Sequence, residues 1–467
     1  MDVELRYQQE LDYLYSFIDH SMTRNLRNAP ENFNLERIAQ FLALLGNPQS
    51  SYKVVHVAGT KGKGSTAALI ANALFEGGYN VGFYTSPHLS DYCERIQINH
   101  IILSHTDFIK LIESMKPYIS KVAGITTFEL TTALAFLYFQ QQKVDFAVVE
   151  VGLGGRLDAT NVVDPLVSVI TSLSLDHINV LGDTLAQIAF EKGGIIKPNR
   201  PVVISPQKEE ARRVLYRIAE ERNSPLIEVG RDYLYSAGAH NLEGQNFMVW
   251  PKEEQAAVNR YIESGGRDEW SPKRFHIPLL GFHQIINAAT AYSALETMKK
   301  LGVKLTDDQI YNGFSSVVWP GRFEILSRRP LIVVDSAHNR ESALRLRQAV
   351  EDYFPGKTVT LVFGASEDKD IEGMLFELLP RVNNVVATKS NHPRAMEPEK
   401  IVEYVLKFGK RGFATESIEA SLEKALAVAG NESLILVTGS LFVAAAMRDV
   451  WKSEQITHNQ PLLKKVM

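Results

Sequence analysis

Short β-branched runs recur along the chain, each closing on a small or polar residue and each followed by a stretch of helical periodicity. Residues 54–58, 146–151, 166–171, 331–335, 358–363 and 434–438 have this form. Alternation of that kind predicts parallel α/β sheets. Such sheets bind ligands at the carboxyl ends of their strands, so chemistry is to be sought just after each run. The near-apolar stretch 434–447 is interrupted by Thr438, Gly439 and Ser440 and reads as a buried strand turning into a helix. No unbroken apolar run approaches the ~18 residues of a membrane span.

Residues 318–321, Val-Trp-Pro-Gly, follow the helix-like segment 307–315 and precede the run at 331. Proline and glycine together suit a hinge, so two domains are expected, 1–317 and 318–467. Between Gly230 and Pro278 the pattern loosens into short β-like pieces, with a polar, charged stretch from Pro251 to Pro272. An excursion at the edge of the first domain is expected there.

Composition narrows the function. Of 467 residues, 50 are Lys or Arg and 54 Asp or Glu, a net charge of −4 that lacks the pervasive basic character of a nucleic-acid coat. With 45% hydrophobic and 22% charged residues the chain has the make-up of a soluble enzyme. Its one cysteine, Cys93, can form no intramolecular disulfide and no Cys-rich zinc site by itself, which fits a reducing cytoplasm. The first residues, Met-Asp-Val-Glu-Leu-Arg, lack the basic-then-apolar order of a signal peptide. Neither nucleic acid nor membrane is expected as a partner, and a monomer is expected.

The strongest chemical signal follows the first run. After Val54-Val-His-Val-Ala58 comes Gly59-Thr60-Lys61-Gly62-Lys63-Gly64-Ser65-Thr66, then an amphipathic helix closing at Gly77-Gly78. Strand, glycine loop and helix stand in the order a phosphate cradle needs. The glycines let backbone N–H groups turn inward, the helix start adds partial positive charge, and Lys63 can reach the terminal phosphates. Thr66 or Ser65 can cap the helix or face a metal. The spacing departs from the standard phosphate-loop pattern, since Val57 stands at its first glycine and Gly64 intervenes after Lys63. The plain alternative is a glycine turn that only joins strand to helix.

These motifs together resemble the folate branch of the Mur ligases, the folylpolyglutamate synthase and dihydrofolate synthase family. The resemblance rests on residues 59–65, on Thr85-Ser86-Pro87-His88-Leu89 with Glu94-Arg95-Ile96, and on the segment 150–161. It continues through Ser174-Leu-Asp-His177, residues 191–197, His283-Gln284 with Asn287, residues 319–324, Asp335-Ser-Ala-His-Asn339 and Thr438-Gly-Ser-Leu441. It implies an α/β fold with a P-loop NTPase-like parallel-sheet N-terminal domain and a smaller Rossmann-like C-terminal domain. It also implies an ATP-dependent ligase that joins L-glutamate to a reduced folate or dihydropteroate through an acyl phosphate, with ATP and Mg²⁺ as cofactors.

Site residues follow from both sources. Glu150 ends so apolar a strand that its carboxylate needs a reason, either Mg²⁺ or a structural role, capping or pairing with Arg156. Similar proteins hold magnesium with residues matching Ser86, Glu150 and His177. Lys192 reads from periodicity as a solvated helix residue, whereas the family often carbamylates the matching lysine to support magnesium. Asn287 matches an ATP contact, with helix capping as the alternative. Arg322 after the hinge can grip phosphate, Asp335 can bond a ribose hydroxyl, and His338 lies one short turn on; the resemblance puts all three at the nucleotide. Asp335 is expected to end the first strand of the second domain.

On the acceptor side, Thr127 and Phe128 resemble a segment beside the pterin pocket, Phe128 offering a stacking face; a helix N-cap by Thr126 or Thr127 is the alternative. Leu157, Asp158 and Ala159 match a dihydropteroate contact, and equally serve loop geometry. No covalent nucleophile with an activating base is evident, and Cys93 lies beside Glu94, whose charge would disfavour a thiolate. The alternatives in function are a Mur-type ligase acting on a UDP-linked cell-wall precursor and a non-ligating P-loop NTPase module.

Overall fold

The computed structural model describes residues 2–18, 34–430 and 432–457. The chain divides into two compact units, Met1–Pro278 with Phe282–Val318, and Leu279–Gly281 with Trp319–Met467. Val318 thus closes the first unit, and the second takes in three residues from ahead of the helix Phe282–Lys300.

The first unit is built on eight strands: β1 (Lys53–Ala58), β2 (Val81–Tyr84), β3 (Ile96–Ile98), β4 (Ile101–Ile102), β5 (Phe146–Glu150), β6 (Val167–Ile170), β7 (Val202–Ile204) and β8 (Leu226–Glu228). Their order is β4-β3-β2-β5-β1-β6-β7-β8, parallel from β2 to β8, with β3 and β4 added antiparallel at one edge. β5 and β6 are buried along their whole length, as parallel strands covered on both faces require. Register places Val57 beside Glu150 and Ala58 beside Ile170, so three strand ends and the loops that follow them share one rim.

A second, antiparallel sheet of β9 (Tyr233–Asn241), β10 (Gly244–Pro251) and β11 (Lys273–Ile277) forms the excursion. The polar stretch between β10 and β11 contains the helix Gln255–Glu263. The second unit carries β12 (Glu324–Arg328), β13 (Leu331–Val334), β14 (Val359–Phe363), β15 (Val382–Ala387), β16 (Arg411–Ala414) and β17 (Leu434–Thr438). Their order is β12-β13-β17-β14-β15-β16. All neighbours run parallel except the edge pair β12–β13. Asp335 therefore follows the second strand of this unit; the half-buried β12, which pairs across a bulge, has too irregular a pattern to announce itself. Stretch 434–447 is a strand turning into a helix, Leu441–Thr457. Among the described residues no helix is long and apolar enough to cross a membrane.

Candidate active site

The phosphate loop joins β1 to the helix Lys63–Glu76. Gly62 caps that helix at φ +87°, and a Cβ there would stand 2.1 Å from Asn287 Oδ1. Only glycine admits so close an approach, and the approach brings Asn287 to the loop. Asn287 is itself buried and donates to Gln284 Oε1 at 2.9 Å. On the other flank Thr60 and Lys61 donate their backbone N–H groups to Ser172 O at 3.0 and 3.1 Å. Thr60 Oγ1 adds a bond to Ser174 O at 3.2 Å. Lys61 pairs with Asp176 at 2.9 Å, and Asp176 Oδ1 lies 3.9 Å from His177 Nε2. His177 is exposed, with φ +49°, and caps the short helix Ile178–Leu181.

Glu150 is 4% exposed and faces Lys63 Nζ at 3.9 Å. Its Oε2 accepts the Thr85 hydroxyl and, at 3.4 Å, the Ser86 N–H. Arg156 bonds Glu191 instead, so its pairing with Glu150 does not form. Gly64, Ser65 and Thr66 lie in the buried first turn of the helix, and among the described residues Thr66 Oγ1 has no hydrogen-bond partner. An orphaned buried hydroxyl is costly. With a carboxylate, two hydroxyls and an imidazole on this rim, the donor set is the hard-oxygen and nitrogen kind that suits Mg²⁺ completed by phosphate. The residues fit the group.

Lys192 is not solvated: on the helix Leu185–Gly193 it is only 4% exposed. Periodicity within one helix could not reveal what covers it, because Lys61, Lys63, Asp158 and Asp176, the charges that act on it, come from three distant loops. Burial, then the neighbouring Lys63, depress its pKa to about 7. The amine thus gives up its proton more readily than that of a free lysine.

Next to Glu150 the chain turns through residues 152–158. Phe128 packs against Gly152, where a Cβ would meet its ring at 2.5 Å. Thr126 caps the helix Thr127–Gln141 in a capping box with Glu129, while Thr127 Oγ1 donates to Leu14 O at 3.1 Å. Asp158 is buried and accepts from Leu153 N–H at 2.8 Å, Thr160 N–H at 3.0 Å and the Thr160 hydroxyl at 2.5 Å. Its carboxylate shapes the loop on which Leu157 is half-buried and Ala159 buried. Thr160 Oγ1 also bonds the fully buried His56 at 2.9 Å, a link back to β1 that no local pattern announced.

The Mur ligase middle-domain model matches residues 57–295, and the Mur ligase glutamate ligase domain model matches 321–441. The dihydrofolate synthase/folylpolyglutamate synthase of Bacillus subtilis is 33% identical over 421 residues, 89% of this chain and 94% of that protein. The chain belongs to this family of Mur ligases. The family's Escherichia coli member is 33% identical over 92% of the chain and 94% of its own length. Among solved structures, Mycobacterium tuberculosis folylpolyglutamate synthase complexed with ADP superposes with a TM-score of 0.83 at 29% identity, covering 96% of this chain and 99% of that one. The Escherichia coli FolC complex with DHPP and ADP has a TM-score of 0.82 at 29% identity, covering 96% and 98%.

In the glutamate ligase domain of this family member, Arg322 donates to Ser336 Oγ. Asp335 takes Phe323 N–H on one oxygen and Ala337 N–H on the other, both at 2.8 Å. His338 Nδ1 lies 2.9 Å from Ser336 O. The turn thus gathers Arg322, Asp335 and His338 within one hydrogen-bonded cluster. Ser336 is the residue that fixes the arginine.

Proposed function

We propose that this chain is an ATP-dependent carboxylate–amine ligase that adds L-glutamate to a reduced folate, and to dihydropteroate, releasing ADP and phosphate. The observation that carries the reading is the glycine loop with Lys63 facing the buried Glu150, in a family whose members are named for this chemistry. These relatives carry folate names, which favours a pteridine acid over a UDP-linked cell-wall acceptor.

In this reading the loop amides and Lys63 hold the β- and γ-phosphates, and Asn287 stands at the nucleotide beside Gly62. Ser86, Glu150 and His177 would hold Mg²⁺, which would neutralise charge on the transferred phosphoryl group. The acceptor carboxylate attacks the γ-phosphorus and ADP leaves. The glutamate amine then attacks the acyl carbon, and phosphate departs with one carboxylate oxygen. Phe128 offers its ring to the flat pteridine, with Thr127, Leu157, Asp158 and Ala159 around it; Asp158 and Thr127 act by holding backbone. The neutral amine of Lys192 is suited to take up CO₂ as a carbamate, which would place a second acid near Lys63. Arg322, Asp335 and His338 are assigned to the nucleotide on the resemblance and on their shared cluster. We expect a cytoplasmic monomer acting on small molecules.

ADP release that requires both glutamate and a folate tests the activity, and parallel assays with dihydropteroate and tetrahydrofolate rank the acceptors. Release of ADP without either substrate would favour a plain NTPase. With the acceptor carboxylate labelled in heavy oxygen, each phosphate released should carry one labelled atom. Unlabelled phosphate would overturn the acyl-phosphate route.

A further inference from the structure

Outside the residues assigned to ATP, magnesium and acceptor, three donors of different chemistry converge. They lie where the helix Val3–Tyr15 meets the turn Tyr92–Arg95 and the start of the helix His105–Ile119. Asp91, Cys93 and His105 each offer a ligand atom, and these atoms all lie within 4.8 Å of one another. His105 Nε2 stands 2.9 Å from Asp91 Oδ2, while its Nδ1 stands 2.9 Å from the Glu4 carboxylate. Asp91 divides its work: Oδ1 accepts Cys93 N–H at 2.7 Å and the Tyr7 hydroxyl at 3.3 Å, and Oδ2 is turned to the imidazole. The Tyr7 ring stacks on His105 at 3.6 Å and 3°, which fixes the plane of the imidazole.

We propose that Asp91, Cys93 and His105 form a binding site for a borderline-soft divalent metal ion, zinc by preference. Glu4 orients His105 from its far nitrogen. A thiolate, an imidazole and one carboxylate oxygen are the mixed donor set that zinc accepts and magnesium does not. Ligands on a tetrahedral zinc ion sit about 3.3–3.6 Å apart, so a contraction of roughly 1 Å closes the present arrangement. Carboxylate, imidazole and metal in line is the pattern by which proteins fix the tautomer of a ligating histidine. His105 and Asp91 are partly exposed and give the ion a path from solvent, leaving water as the fourth ligand. Burial, with Asp91 adding to it, pushes the Cys93 thiol up to about 12, so the ion must draw off that proton itself.

Because Cys93 is the only cysteine in the chain, any sulfur-to-metal signal has one source. Full-length protein titrated with Co²⁺ in the presence of excess Mg²⁺ should develop a thiolate-to-cobalt charge-transfer band that saturates at one ion per chain and is erased by Zn²⁺. The band should vanish in Cys93→Ser, and apparent affinity should fall at least tenfold in His105→Gln and in Glu4→Gln. His105 and Glu4 lie at the surface, so those two variants remain informative even if Cys93→Ser folds poorly. Absence of the band in the wild type, or a band of unchanged affinity in His105→Gln, would overturn the site.

Discussion

At the end of β5, Glu150 faces Lys63 at 3.9 Å and is held by the Thr85 hydroxyl and the Ser86 N–H. At the end of β13, Asp335 sets each of its oxygens on a backbone N–H, of Phe323 and of Ala337, at 2.8 Å. Both acids close an apolar strand, and the sequence presents them alike. The first keeps its charge turned to a cation and a phosphate loop. The second spends its geometry on the turn that bears Arg322 and His338. An acid at a strand end is thus a signal of a site, and its partners decide whether it handles charge or shapes backbone.

The largest test of that contrast removes the cation opposite Glu150. Lys63→Ala should lower turnover by about 10³-fold or more, a loss of roughly 4 kcal/mol in barrier stabilisation, with the thermal midpoint little changed. A variant keeping a tenth of wild-type turnover would detach the loop from phosphoryl transfer. Glu150→Gln should cost about 10²-fold and shift the Mg²⁺ concentration needed for half-maximal activity upward; an unchanged magnesium dependence would return Glu150 to a structural part. Asp335→Asn should do the opposite in kind. Its amide nitrogen would confront a backbone N–H, and the second unit should lose about 1–3 kcal/mol, read by denaturant unfolding. If stability is untouched, the two acids are alike after all.

The last test concerns Lys192. Its folded pKa of about 7 lies below the value of 10.5 for a free lysine, so between those limits the unfolded chain binds more protons than the folded one. Stability should therefore rise as pH climbs from about 7, and the unmodified amine destabilises fully below that point. Lys192→Met should flatten the rise in thermal midpoint across the alkaline side. A wild type already flat there, with the added mass of a carbamate in the intact protein, would mean the lysine is modified.

Much of this site was legible from local pattern. Strand, glycine loop and helix follow one another directly, and a carboxylate at the end of four apolar residues stands out because an unpaired buried charge is costly. What stayed hidden was non-local. Lys192 looked solvated, whereas it is buried and the charges that act on it, Lys61, Lys63, Asp158 and Asp176, come from other loops. The Thr127 hydroxyl holds Leu14 across more than a hundred residues of chain, a contact that no local pattern announces. The Cys93 thiol is raised by burial and by Asp91, whereas sequence adjacency pointed to Glu94. Each miss is a contact between segments whose nearness no periodicity encodes.

The pairing of Val57 with Glu150 has a consequence for heat. The loop that cradles phosphate and the acid that faces it hang from adjacent central strands, the part of a fold that opens only when the whole unit opens. Loss of phosphate-loop binding on warming should therefore coincide with loss of tertiary structure in the first unit, with no folded but non-binding stage of that unit before it.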